Sequence, residues 1–387
     1  MKIKLLSIFL VCFTLSGVSQ TGLFCNNDVN VGANQTNEYI PLLVGKKVAV
    51  VGNQSSLIDN THLVDSLLKL DVEVVKVFSP EHGFRGKADA GEKVASGIDS
   101  KTGLAIVSLY GSNKKPKDEQ LKGIDVVVFD IQDVGARFYT YISTLHYVME
   151  ACAENNIELI VLDRPNPNGH YFDGPILNPK FKSFVGMHKI PVVHGMSIGE
   201  YAQMINGEFW LPDSLNCDLT VVKIEGWDHT KFYKLPIKPS PNLSNMLSIY
   251  LYPSLCFFEG TVVSVGRGTK TPFQIVGHPN FVKDSFDFKP MPGAGAKHPK
   301  LENKVCYGMD FSSLGINVIQ NQKQLNLSWI LLFYRKLNLK QQFFLKNNFI
   351  NLLAGTDDLK RQIRLELPGG LFMPVDRADL LELLTQQ

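Results

Sequence analysis

Several signatures are missing from this 387-residue sequence, and each absence counts against a class of function. No GxGxxG follows the first apolar run and no GKS/T phosphate loop occurs, so nucleotide binding is disfavoured. His62, His82, His146, His170, His188 and His194 are scattered, with no HExxH or other tight ligand spacing. A metal site would have to draw its ligands from distant loops, and no cofactor is implied. Cysteine is sparse: Cys12, Cys25, Cys152, Cys217, Cys256 and Cys306 lie far apart, with no CxxC. That spacing argues against a disulfide scaffold or a structural zinc, and most are read as small buried apolar residues. A formal net charge of +2 comes with no basic run interleaved with aromatics, so nucleic acid is not an expected partner.

Long apolar runs are also lacking. Residues 5–15 follow Lys2 and Lys4 and precede Gly17 and Ser19. This is the layout of an export signal, too short to span a bilayer comfortably; an uncleaved anchor is the alternative. Cys25 does not suit lipid attachment, because bulky Phe24 stands where a small residue is needed. Residues 1–19 are therefore read as a signal, 20–45 as a flexible Asn-rich leader, and the mature protein as periplasmic or envelope-associated without a membrane span.

What is present is the composition of a globular protein, 44% hydrophobic and 20% charged, too long for one comfortable core. Three apolar runs, at 72–78, 124–129 and 157–162, each end in a dense polar cluster. With further strands expected at 48–51, 104–109 and 219–224, and helices at 61–70, 117–121, 138–155 and 196–207, the alternation predicts an α/β fold. Its Rossmann-like three-layer domain, with a mainly parallel sheet, spans 46–235. Ser197 and Glu200 have capping-box spacing for the last of those helices. Pro236, Pro239, Pro241 and Pro253 then disfavour long regular elements and mark the start of a smaller α+β domain, 236–387. A strand is expected there at 314–319 and a helix at 328–337, with a cleft between the two domains.

In a parallel sheet the ligand crevice lies beyond the carboxyl ends of the strands, where these clusters fall. Glu81, between Pro80 and His82, is the first candidate: partial burial beside an imidazole raises a carboxyl toward the range of a general acid. The alternative is a turn cap or a pair with Arg85. Asp130 and Asp133 flank Gln132 and suit acid/base work, metal binding or sugar hydroxyls, although one of them is expected to hold Arg137 instead. Asp163-Arg164-Pro165-Asn166-Pro167 is a stiff loop able to aim side chains at a ligand or simply to turn the chain. His194 precedes a helix start, and Glu259 leads to Gly266-Arg267-Gly268-Thr269, a candidate carboxylate clamp.

At these residues the sequence resembles the bacterial exo-β-N-acetylmuramidases. The matching blocks are FSPEHGFRG (78–86), AGE (90–92), FDIQDVGARFYTY (129–141), LDRPNP (162–167), HGM (194–196), SPN (240–242), and FEGT through GRGT (258–269). The resemblance runs from about 46 to 363. It implies a cleft between a Rossmann-like domain and a smaller one, the release of terminal N-acetylmuramic acid from peptidoglycan fragments, and a catalytic glutamate at Glu81. Glu81 would protonate the glycosidic oxygen; the second group is left open among Glu92, Asp130, Asp133 and the substrate's own acetamido oxygen. An arginine should read the lactyl carboxylate, with Arg267 first and Arg137 and Arg164 behind it. Tyr139 and Tyr141 are expected to stack on the pyranose, and Asn242 to line the substrate site. After residue 363 the chain departs from the family, which carries a Glu-rich helical segment with a Trp.

Two other readings stay open: a metal-dependent esterase or amidase acting on wall fragments, and a non-catalytic periplasmic sugar-binding protein.

Overall fold

A computed structural model describes residues 24–85, 96–283 and 286–365. The expected export signal, and Glu92, lie outside the described residues. The first half is a layered α/β unit. Its strands are β1 (Val48–Gly52), a small hairpin of β2 (Leu57–Ile58) and β3 (Thr61–His62), β4 (Val74–Ser79), β5 (Gly97–Ile98), β6 (Ala105–Ser108), β7 (Val126–Asp130), β8 (Glu158–Leu162) and β9 (Leu219–Val222). Among the described residues the main sheet has seven strands in the order β5-β6-β4-β1-β7-β8-β9. Only the edge strand β5 runs antiparallel to its neighbour. Taken by chain order, the six parallel strands run 3-2-1-4-5-6, the doubly wound order whose switch point lies between β1 and β7. Both strands are buried along their whole length, as expected of β-branched runs covered on two faces.

Helices α1 (Thr36–Leu43), α2 (Leu63–Lys69), α3 (Asp118–Leu121), α4 (Tyr141–Asn155) and α5 (Ile198–Gly207) accompany this sheet. The capping box expected at Ser197 is formed: its hydroxyl accepts from Glu200 N–H, and the Glu200 carboxylate accepts from Ser197 N–H. The residues read as a flexible leader are ordered from Phe24 onward. Val31, Ala33, Tyr39 and Leu43 are buried, and the Tyr39 hydroxyl donates to the Ala33 carbonyl at 2.8 Å. These few apolar side chains, set among asparagines, anchor the segment to the sheet: Gly32 N–H donates to the Asp163 carbonyl at 2.9 Å. Residues 61–62 pair as strand β3 before α2 begins, because His62 caps the helix by accepting from Val64 N–H.

The second half holds α6 (Met246–Leu255), β10 (Ile275–His278), β11 (Phe286–Phe288), β12 (Cys306–Asp310), α7 (Ile316–Gln322), α8 (Ser328–Leu337), α9 (Phe349–Ala354) and α10 (Asp358–Leu365). Its small sheet, β10-β12-β11, is antiparallel. Two expectations fail here. Residues 314–319 form no strand: α7 takes up 316–319 after Gly315, and buried Gln320 donates to the Tyr250 hydroxyl at 3.0 Å. Pro253 also lies inside α6 rather than ending it. Proline supplies no N–H to the Ile249 carbonyl four residues back. That carbonyl instead accepts from Asn168 Nδ2 at 3.3 Å. Cys152, Cys217, Cys256 and Cys306 are free and buried, as read.

Candidate active site

Much of the polar material at the strand ends is interior structure. Asp130, at the end of β7, is fully buried and receives Arg164 through Nε at 2.5 Å and Nη2 at 2.9 Å. Burial pushes this carboxyl upward and the guanidinium opposes it, so the two charges hold each other in place. Arg164 also donates to the Leu57 carbonyl at 2.8 Å, Ser56 donates to the Asp130 carbonyl, and Gln132 N–H donates to Ser55 at 3.0 Å. Buried, mutually bonded polar side chains thus stand at the switch point. Asp133 accepts from Gly135 N–H at 2.6 Å and lies 3.4 Å from His194 Nε2. Gly135 itself is left-handed, and a Cβ there would meet Asn166 Oδ1 at 2.2 Å.

Arg137, expected to be held by an aspartate or to face substrate, does neither. Its guanidinium is buried and donates to the carbonyls of Pro175 (2.8 Å), Ile190 (2.6 Å) and Leu353 (3.2 Å). Burial pulls its pKa down to about 9. Asp163 serves the start of α5, accepting from Ser197 Oγ at 2.8 Å and Gly199 N–H at 2.7 Å. Burial raises it to about 6 against those bonds. The amide of Asn166 donates to the Met196 carbonyl, that of Gln132 to the Asp133 and Pro165 carbonyls, and that of Asn242 to the Gly295 carbonyl. These side chains satisfy the backbone of loops that run through the interior. Arg85 pairs with Asp65 and Asp99, not with Glu81 as the alternative reading had it.

A different set faces open space. Beyond β4 a cleft of about 660 Å³ is lined from the first half by Glu81, Tyr110, Phe138 and Thr140. The second half contributes Tyr252, Cys256, Glu259, Arg267 and residues 295–300. Glu81 sits on a tight turn in which Gly83 N–H donates to the Pro80 carbonyl at 3.2 Å. His82 and Gly83 both take positive φ (73° and 79°). The buried His82 shares with Glu81 a small inner recess of about 60 Å³, also lined by Tyr139, Tyr141, Ser240 and Arg267. Tyr139 and Tyr141 therefore reach the site, but not as stacking platforms. Both are buried, pack edge-to-face at 4.8 Å, and donate to the Pro239 carbonyl at 2.9 and 3.4 Å.

Arg267 donates through Nε to Glu259 at 2.7 Å and lies 4.9 Å from the Phe273 ring centroid. Burial works against the Glu259 charge, yet Arg267 and then Lys300 hold its carboxyl below the ordinary value. Lys300 closes the turn behind it, donating to the carbonyls of Thr261 (2.5 Å) and Phe258 (3.1 Å), and burial pulls this amine down to about 8. Sequence reasoning missed Tyr110, Thr140, Tyr252 and Lys300. Thr140 lies inside a quoted block, but the other three stand outside every polar cluster. Among the described residues, no group of three or more His, Cys, Asp or Glu is placed to hold a metal ion.

Residues 48–247 match the family model for the N-terminal part of exo-β-N-acetylmuramidase NamZ, and residues 250–368 match its C-terminal part. The peptidoglycan β-N-acetylmuramidase NamZ of Bacillus subtilis (strain 168) is 47% identical over 257 residues, covering 64% of this chain and 60% of that protein. The matched span is thus less than two thirds of that relative's length. Two crystal structures of DUF1343 family proteins from Bacteroides fragilis NCTC 9343 are similar. One has a TM-score of 0.85 at 46% identity, covering 93% of this chain and 97% of the other. The second has a TM-score of 0.71 at 30% identity, covering 87% and 91%.

Proposed function

Because this chain belongs to the exo-β-N-acetylmuramidase NamZ family, we propose that it is a glycoside hydrolase releasing terminal β-linked N-acetylmuramic acid from peptidoglycan fragments. The observation that carries this is the joint placement of Glu81 and Arg267 on both the cleft and its inner recess. Glu81 donates a proton to the glycosidic oxygen as the bond to the leaving sugar breaks. Arg267, oriented by Glu259, meets the lactyl carboxylate that distinguishes muramic acid from glucosamine. Among the described residues the carboxylates lining the cleft are Glu81 and Glu259, and Glu259 is committed to Arg267. The second catalytic task therefore falls to Glu92 or to the substrate's acetamido oxygen, rather than to Asp130 or Asp133. We take residues 46–235 as the catalytic domain and 236–387 as the smaller domain completing the cleft. Export to the cell envelope is inferred from the layout of residues 1–19.

The test is hydrolysis of a chromogenic β-N-acetylmuramide, with the matching β-N-acetylglucosaminide and Glu81→Gln as controls. Turnover of the muramide alone, abolished by the substitution, is expected. A folded protein that hydrolyses neither substrate would overturn the reading.

A further inference from the structure

Glu81 stands on a long side chain at an open cleft, and a general acid misplaced by about 1 Å loses much of its effect. Something must fix its direction. The register of the sheet supplies a neighbour: β4 and β6 pair Ser79 with Ser108, and Leu109 N–H donates to the Ser79 carbonyl at 2.8 Å. Glu81 and Tyr110 each lie two residues beyond that pair, so the two side chains leave adjacent strands at the same level. Tyr110 and Glu81 line the same cleft, near enough for the Glu81 charge to act on the Tyr110 hydroxyl. On the other side Thr140, the residue just before α4, approaches Glu81 Oε2 with Oγ1 at 3.4 Å.

We propose that Tyr110 is a positioning residue for Glu81, gripping its carboxyl opposite Thr140 so that the acid is held toward the cleft. The backbone of Tyr110 is itself fixed, its N–H donating to Ser108 Oγ at 3.3 Å, while Asn113 Nδ2 donates to the Ser108 carbonyl at 2.7 Å. Burial and the neighbouring Glu81 charge push the Tyr110 hydroxyl well above its ordinary value. It therefore stays protonated, and a hydrogen-bond donor, at any pH where the enzyme works. With Thr140 Oγ1 on one side of the carboxyl, a Tyr110 hydroxyl on the other would restrict its rotor.

The inference rests on the muramidase reading, and one kinetic series separates the two. The parent chain, Tyr110→Phe, Thr140→Val and the double variant are assayed on the β-N-acetylmuramide, with thermal melting as the check on folding. Phenylalanine keeps the ring and loses only the hydroxyl. The expected result for Tyr110→Phe is a fall in kcat of about tenfold with KM within about twofold, the pattern of an interaction that matters in the transition state. Thr140→Val should show the same split more weakly, and the double variant should lose less than the product of the two singles. A Tyr110→Phe enzyme with parental kcat, or one in which only KM rises, would overturn the proposal and make Tyr110 a plain wall of the cleft. If Tyr110→Phe does not fold, Thr140→Val decides by the same split. A parent chain inactive on the muramide would overturn the muramidase reading, and this inference with it.

Discussion

Glu259 aims Arg267 from behind: its carboxylate takes the guanidinium Nε at 2.7 Å, and the Phe273 ring supports the same group at 4.9 Å. A planar fork held at one nitrogen and one face is pre-organised for a carboxylate in a way that a lysine ammonium is not. Arg267→Lys is expected to raise KM for the muramide about tenfold with a smaller effect on kcat. Glu259→Gln should move KM in the same direction by less. Initial-rate kinetics check this, and an unchanged KM in Arg267→Lys would exclude that arginine as the reader of the lactyl group.

Asp130→Asn leaves Arg164 charged and buried without its counter-ion. The expected cost is about 3–5 kcal/mol, read as a lower urea midpoint with an unchanged slope. A loss below about 1 kcal/mol would mean that the carbonyl contact to Leu57 is enough to hold the guanidinium.

Asn168→Ala removes the amide that serves both the Val134 carbonyl (2.8 Å) and the Ile249 carbonyl left open by Pro253. Two buried acceptors then lose their donor, for an expected destabilisation of about 1–3 kcal/mol. Adding Pro253→Ala to that variant should recover part of it, since α6 would regain its own N–H donor. Denaturant unfolding of the single and double variants measures both effects.

His188 donates or accepts in a buried chain with His146 (2.9 Å) and the Tyr201 hydroxyl (2.7 Å), and stacks on Trp210. Burial, then the neighbouring His146, lowers its pKa to about 2, and burial takes His146 to about 4. Below pH 6.5 the unfolded chain binds protons that the folded one refuses. Their contribution is thus complete above 6.5 and is lost as pH falls toward these values. By pH 5 the loss is about 2 kcal/mol per such histidine. His188→Gln, though less stable at pH 7, should show a flatter decline between pH 7 and 5 when unfolding is followed across that range.

The strands were legible because β-branched runs buried on both faces have no polar side to obscure them. The helix start at Ser197 was legible because a capping box is local. Residues 314–319 misled because Leu314, Ile316 and Val318 alternate like a strand, while the contact that fixes the helix, Gln320 with Tyr250, spans 70 residues. The candidate site was partly legible: Glu81 and Arg267 line the same cleft. Asp130, Asp163, Arg164 and Asn166 look equally chemical in sequence yet are all buried. A polar residue that satisfies an interior loop and one that meets a ligand carry the same letters. Tyr110 and Lys300 escaped notice because sheet register and chain return, not local pattern, bring them to the cleft.

The three carbonyls around Arg137 come from residues 175, 190 and 353, the last of them 216 positions away in the chain. A growing polypeptide makes Arg137 long before it makes Leu353. Until α9 arrives, this guanidinium lacks one of its acceptors, and sealing it in an unfinished interior carries a desolvation penalty. Full satisfaction of the Arg137 guanidinium thus waits on a residue made 216 positions later in the chain.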